Sequence, residues 1–179
     1  MVAPKWFVRK LGFGLRPEEK FPTDSISWAM DQADSVPDAV GVRTIRSGLK
    51  PEIVAWPSTL TWSLKDRIDR LVEYRSTSDA LDAKYERGTK EHRTAMDELE
   101  MRLTVNRYDQ LHRAHQCIYG GAPVFERFAH FWQNHFTVGD RDTTWELMGH
   151  YHQAAIKDKM LGSFGEMLYG VTTHPAMLT

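Results

Sequence analysis

The residues best equipped for chemistry lie in one run, Phe125-Glu126-Arg127-Phe128-Ala129-His130-Phe131-Trp132-Gln133-Asn134-His135-Phe136. On a helix at about 100° per residue, Phe125, Phe128, Phe131, Trp132, His135 and Phe136 share one broad face. Glu126, His130, Gln133 and Asn134 fall mostly off it. A histidine within an aromatic stripe has two readings. It is a core ring whose nitrogens are satisfied by neighbours, or it is a buried acid, base or metal ligand. In the catalytic reading His135 is the general base or ligand, Asn134 orients it, and Glu146 is the carboxylate behind it. Trp132, Phe136, Phe13 and Arg16 then form the ligand or interaction face.

Metal chemistry fits the spacing poorly. His130 and His135 are five apart, about 140° around a helix, so they cannot chelate one ion as an i, i+4 pair does. A metal site built on His135 would have to recruit His150 or His152, which point to different sides of the next helix. No metal or other cofactor is predicted. Nucleophilic catalysis fits no better: there is no GxSxG elbow. The single cysteine, Cys117, falls on the apolar side near a helix end, where a thiol packs as a small hydrophobe. One cysteine also makes neither an internal disulfide nor a CxxC site.

The elements that must position these residues read as helices. Arg16-Pro17-Glu18-Glu19 looks like a helix opening. Leu11-Gly12-Phe13-Gly14 reads as a bend with a buried aromatic, without the third glycine of a phosphate loop. Asp24 or Ser25 caps a short helix to about Ala33, ended by Pro37. Residues 41–62, with Gly41, Gly48, Pro51 and Pro57, read as an extended segment anchored by buried Trp56 and Trp62. From Ser63 to Tyr119 the chain is polar and helical. Leu64, Ile68, Leu71 and Val72 mark one apolar face. Met96, Leu99, Leu103, Leu111 and Ile118 mark another, with Tyr108 and His115 on the same stripe. Ser76-Thr77-Ser78-Asp79 and Gly88 are the expected breaks, giving two helices in a solvated hairpin or arm. The heptad pattern of a coiled coil is not sustained. Most carboxylates fall on this arm, as a solvated face requires.

Gly120-Gly121 ends that stretch and Pro123 starts the aromatic helix, to about Thr137. Asp142 or Thr143 caps the next helix, Thr144 to Lys159. A last one covers Ser163 to Val171, with Pro175 beyond its end. No convincing strand pattern and no internal repeat are present. The expected fold class is all-α, an irregular helical domain with a long polar arm. Its parts are 1–62, 63–119 and 120–179, within one domain.

Composition bounds the rest. Of 179 residues, 41% are hydrophobic and 26% charged, which excludes disorder over the whole chain. Lys plus Arg is 23 against 24 Asp plus Glu, so a strongly basic nucleic-acid footprint is absent. Arg9, Lys10 and Arg16, with Trp6 and Phe13, make one small basic and aromatic patch. No stretch approaches the roughly 20 apolar residues of a membrane span. As written, no signal peptide is visible, so the expected location is cytoplasmic, or outside the cell if the true N-terminus lies upstream.

Four blocks stand together in order. They are Leu11-Gly12-Phe13-Gly14-Leu15-Arg16-Pro17, then Phe131-Trp132-Gln133-Asn134-His135-Phe136-Thr137-Val138. Ala155-Ile156-Lys157 with Leu161-Gly162-Ser163-Phe164 follows, and the last is His174-Pro175-Ala176-Met177-Leu178. The series resembles the bacterial Domain of Unknown Function 1800 family. The blocks bracket nearly the whole chain, and residues 41–119 match only loosely. The resemblance implies a mostly helical bacterial protein and no assigned reaction. It also implies a longer polypeptide, of which this chain resembles an N-terminal portion, and members that are often exported. His152 stands where the family often has an acid, and Lys157 replaces the usual arginine.

Two functional readings follow. The first is a structural or interaction module of a larger polypeptide or assembly, its partner a missing C-terminal half or another protein. The alternative is the N-terminal half of a hydrolase-like or metal-dependent enzyme using Trp132, Asn134 and His135. Nucleic acid is not an expected partner, and the oligomeric state is not readable.

Overall fold

The computed structural model describes residues 5–15, 19–33, 42–44, 52–54, 56–103, 105–139 and 144–178. The fold is all-α. Among the described residues its one departure is a minimal antiparallel pair, β1 (Val42–Thr44) and β2 (Glu52–Val54), with Arg43 opposite Ile53. The helices are α1 (Lys5–Leu11), α2 (Ser25–Ala33), α3 (Leu64–Lys84), α4 (Lys90–Leu103), α5 (Val105–Tyr119), α6 (Pro123–His135), α7 (Met148–His150), α8 (Phe164–Thr173) and α9 (Pro175–Leu178). A 3-10 turn, Ser58–Thr61, precedes α3. The chain divides into two compact units, and the boundary falls within α5. Unit 1 is Met1–Pro57 with Gln110–Thr137; unit 2 is Ser58–Asp109 with Val138–Thr179.

In unit 1, α1 and α2 pack against each other and against α6. Val8 of α1 is buried while Trp6, two residues earlier, is exposed. Asp24 is the cap of α2: its carboxylate accepts from the amides of Ile26 and Ser27, at 2.9 and 3.3 Å. Pro123 opens α6, where a missing N–H costs nothing. The Leu11–Gly14 bend is present, but its aromatic is not buried: Phe13 is exposed. Trp56 is half-buried rather than buried, with its edge on His112 and His115 of α5. The expected stripe on α5 is also corrected. His115 and Gln116 are buried, while Tyr108, Leu111 and Ile118 face outward. The expected helix start at Arg16–Glu18, the stop at Pro37, the residues Gly41, Gly48 and Pro51, and the Asp142 or Thr143 cap lie outside the described residues.

In unit 2, α3 and α4 form the expected hairpin. Ser63 and Asp66 close a capping box at the start of α3: each side chain accepts from the other's backbone N–H. The break expected at Ser76–Asp79 does not occur, and α3 runs through to Lys84. Ser76 and Thr77 instead donate their hydroxyls to the carbonyl of Glu73, at 3.0 and 2.8 Å, which keeps them inside the helix. Gly88, at φ +87°, makes the turn. Around this turn Asp82 pairs with Arg87 and His92.

The helix expected over 144–159 is short. α7 holds one turn and then widens into a π-helix, Tyr151–Lys157. Its wider turn is visible where Asp158 N–H donates to the carbonyl of Gln153, five residues back, at 3.0 Å. Tyr151, Ala155 and Ile156 point inward, joining Leu147, Met160, Met167, Val171 and Ala176 in the core. α8 packs on the π-helix and on α9.

Candidate functional site

The residues expected to form the site divide between the units. In unit 1, α6 buries Phe125, Glu126, Ala129 and Gln133. These positions, spaced i, i+1, i+4 and i+8, make a helical face that is half polar. Of the aromatic stripe, Phe125 turns inward, while Phe128, Phe131 and His135 turn outward. Phe131 is 55% exposed and Phe128 37%, whereas Glu126 is 2% exposed. The rings hold one another: Phe128 stacks parallel to Phe131 at 6.4 Å, and Phe131 stacks on His135 at 6.3 Å. Trp132, half-buried, stands edge-on to Phe131 and His135 and stacks on Phe136 at 5.8 Å. His135 is therefore an exposed ring in an aromatic surface, not a core histidine.

Asn134 does not orient His135. Its amide lies 3.1 Å from Nδ1 of His130, one turn back. Phe13 joins the same surface. The Arg127 guanidinium lies over its ring at 5.4 Å and His130 meets it edge-on. At the end of α1, Lys10 lies over Trp6. Among the described side chains the exposed charges of α1 and α6, Arg9, Lys10 and Arg127, are all cationic, and the one carboxylate of α6 is turned inward. Arg16 lies outside the described residues.

Glu146, His150 and His152 belong to unit 2. Glu146 is 0% exposed, and among the described residues neither of its carboxyl oxygens has a hydrogen-bond partner. Its backbone carbonyl accepts from Nη1 of buried Arg67 at 3.0 Å. Arg67 grips Asp109 with both Nη atoms and also donates to the carbonyl of Thr59 at 3.2 Å. Burial pushes the Glu146 carboxyl up to about 7; Arg67 opposes this and Asp109 adds to it. Burial raises Asp109 as well, against the pull of Arg67.

Beside this cluster, Nδ1 of His150 lies 3.0 Å from Nε2 of His174. Burial holds both rings below the ordinary imidazole value, His174 down to about 4. Tyr151, edge-on to His174, is raised by burial to about 12. His152 tilts against Tyr151 and is half-buried. Among the described residues no group of three His, Cys, Asp or Glu side chains is placed to hold a metal ion. None of the described helices is long and apolar enough to cross a membrane.

Arg67, Asp109 and His174 were not singled out by sequence. One signal was there for Arg67: it sits three residues after Leu64 and four before Leu71, inside the apolar stripe of α3. Asp109 carried no such mark, and His174 read only as part of a motif.

The fold and these two sites define an all-α protein with an aromatic, cationic surface in one unit and an enclosed charged cluster in the other. The chain belongs to the family described as "Protein of unknown function (DUF1800)", whose pattern matches residues 7–179. No curated protein and no solved structure matches it.

Proposed function

We propose that this chain is an interaction module of a larger polypeptide or assembly, and that it binds a polypeptide partner through the outward face of α6 and α1. The observation that supports this is the inversion of α6. A helix folding only for its own unit would bury Phe128 and Phe131 and expose Glu126 and Gln133; this one does the reverse. Aromatic rings interleaved with arginine are the side chains that anchor protein interfaces. With Arg9, Lys10 and Arg127 as its exposed charges, the face suits a partner bringing apolar side chains and carboxylates. A chain of net charge -1 carries no strongly basic footprint for a phosphate backbone. The enzymatic alternative gains no comparable support, since Asn134 is engaged with His130.

The test is site-specific photo-crosslinking in cells, with the reactive residue at Phe131 and, as a control, at exposed Val72 of α3. A discrete adduct from position 131 alone, mapping by mass spectrometry to an apolar and acidic peptide, is expected. Adducts from both positions alike, or from neither, would refute the reading.

A further inference from the structure

The His150–His174 pair has a fixed proton inventory. The backbone N–H of Ala176 donates to Nδ1 of His174 at 3.1 Å, so that nitrogen carries no proton. The proton of the neutral ring is therefore on Nε2, which faces Nδ1 of His150 at 3.0 Å and donates to it. Nδ1 of His150 is in turn bare. Each ring is neutral and holds its one proton on Nε2. A further proton has no place at the contact. On Nδ1 of His150 it would set two N–H groups head to head. On Nδ1 of His174 it would meet the N–H of Ala176.

His174 also joins two helices. Its N–H donates to the carbonyl of Val171, closing α8, and its carbonyl accepts from Met177 at 2.9 Å, opening α9. The ring is thus the side-chain cap of α9, held by the hydrogen bond to His150 at the end of α7 and by the edge-on ring of Tyr151. His174 is 6% exposed and Ala176 is buried.

We propose that this pair is an acid-released latch: protonation of His174 or His150 breaks the cap and frees α9 from unit 2. The charges that act on His150 are Arg67 from α3, which resists protonation, and Asp158 and Asp109, which favour it. On His174, among the described residues, the group that acts is His150 itself, which resists protonation. Tyr151 faces the pair as a neutral phenol. The latch is independent of the interaction surface, which lies in unit 1.

Hydrogen exchange on the full chain tests this, with rates corrected for intrinsic exchange. Linkage sets the expected size: the open fraction grows about tenfold per pH unit below 6.5 for each ring that takes up a proton. With His174 at 6.5 in the open form and about 4 in the closed form, Ala176 should lose about fortyfold protection between pH 6.5 and 4.5, while Leu71 in α3 keeps its own. His174→Asn, a cap that does not titrate, should make Ala176 insensitive to pH. Protection of Ala176 that ignores pH, that falls in step with Leu71, or that keeps its pH dependence in His174→Asn would overturn the latch. Nitrogen-15 spectra of the unmodified protein at pH 7 provide a second check. Both rings should be neutral with the proton on Nε2, and an Nδ1–H or charged ring at either position refutes the proposal.

Discussion

Arg67 holds Asp109 through two N–H···O bonds, at 2.7 and 2.9 Å, across 42 residues of sequence. The Arg67 side chain is 1% exposed and that of Asp109 10%. Fork-to-carboxylate pairing of this kind is bidentate and directional. Its removal from one side leaves a buried charge without its counter-ion. Asp109→Asn should therefore destabilise unit 2 by about 3–5 kcal/mol in urea unfolding. Replacing both charges, as Arg67→Met with Asp109→Leu, should cost less than the sum of the two single changes. A loss below about 0.5 kcal/mol in Asp109→Asn, the range of ordinary surface changes, would show that the pair is effectively solvated.

Gly149 makes this pairing possible. A Cβ there would overlap the carboxyl group of Asp109. Gly149→Ala must push α7 or Asp109 aside, at an expected cost of about 1–3 kcal/mol. The two effects are coupled. Asp109→Ala removes the atoms nearest to that Cβ, so Gly149→Ala should then cost less. Equal costs in the two backgrounds would place the strain elsewhere.

The outward aromatics of α6 predict an asymmetry within one helix. Ala129 is buried on the packed side, whereas Phe131 is 55% exposed. Ala129→Leu overfills that side and should destabilise by about 1–3 kcal/mol. Phe131→Ser, two residues away on the outer face, should change stability by about 0.5 kcal/mol or less. Thermal unfolding of both variants measures the difference. A large loss in Phe131→Ser would mean that the ring stack supports the fold rather than a surface.

What was legible in the sequence was local. Pro123, Asp24, Ser63 and Gly88 mark helix ends because each acts through its own backbone or a neighbour three residues away. The hairpin of α3 and α4 and the all-α class followed from such marks. Burial was less legible. The aromatic run of α6 reads, on one of its two readings, as a core stripe, under the rule that large apolar rings point inward, yet the buried side of the helix carries Glu126, Ala129 and Gln133. The Arg67–Asp109 pair is non-local and was invisible for that reason. A π-helix escapes any test that assumes 100° per residue, so residues 151–157 read as ordinary helix. The aromatic residues named for the site do lie together in unit 1, but Glu146 lies in unit 2, because sequence proximity does not reveal where the chain crosses between compact units.

The carboxyl of Glu146 sets a pH dependence whose sign can be worked out. Its ordinary value is 4.5 and burial raises it to about 7 in the folded chain. Between those values the unfolded chain has lost the proton and the folded chain keeps it. Stability from this group is therefore complete below pH 4.5 and is lost as pH rises to about 7, by about 3 kcal/mol in all. His174 acts in the opposite sense, because its folded value, about 4, lies below its ordinary 6.5. Its contribution is complete above 6.5 and is lost as pH falls towards 4. Between about pH 4.5 and 6.5 the two slopes oppose each other and largely cancel. Glu146→Gln removes one of them. The variant should gain on the unmodified protein as pH rises, by about 2 kcal/mol between pH 5 and 8, with stability that now climbs with pH across the acid range. Urea unfolding at a series of pH values reads this directly. A constant difference between the two proteins would mean that Glu146 ionises normally, and that its enclosure costs the fold nothing.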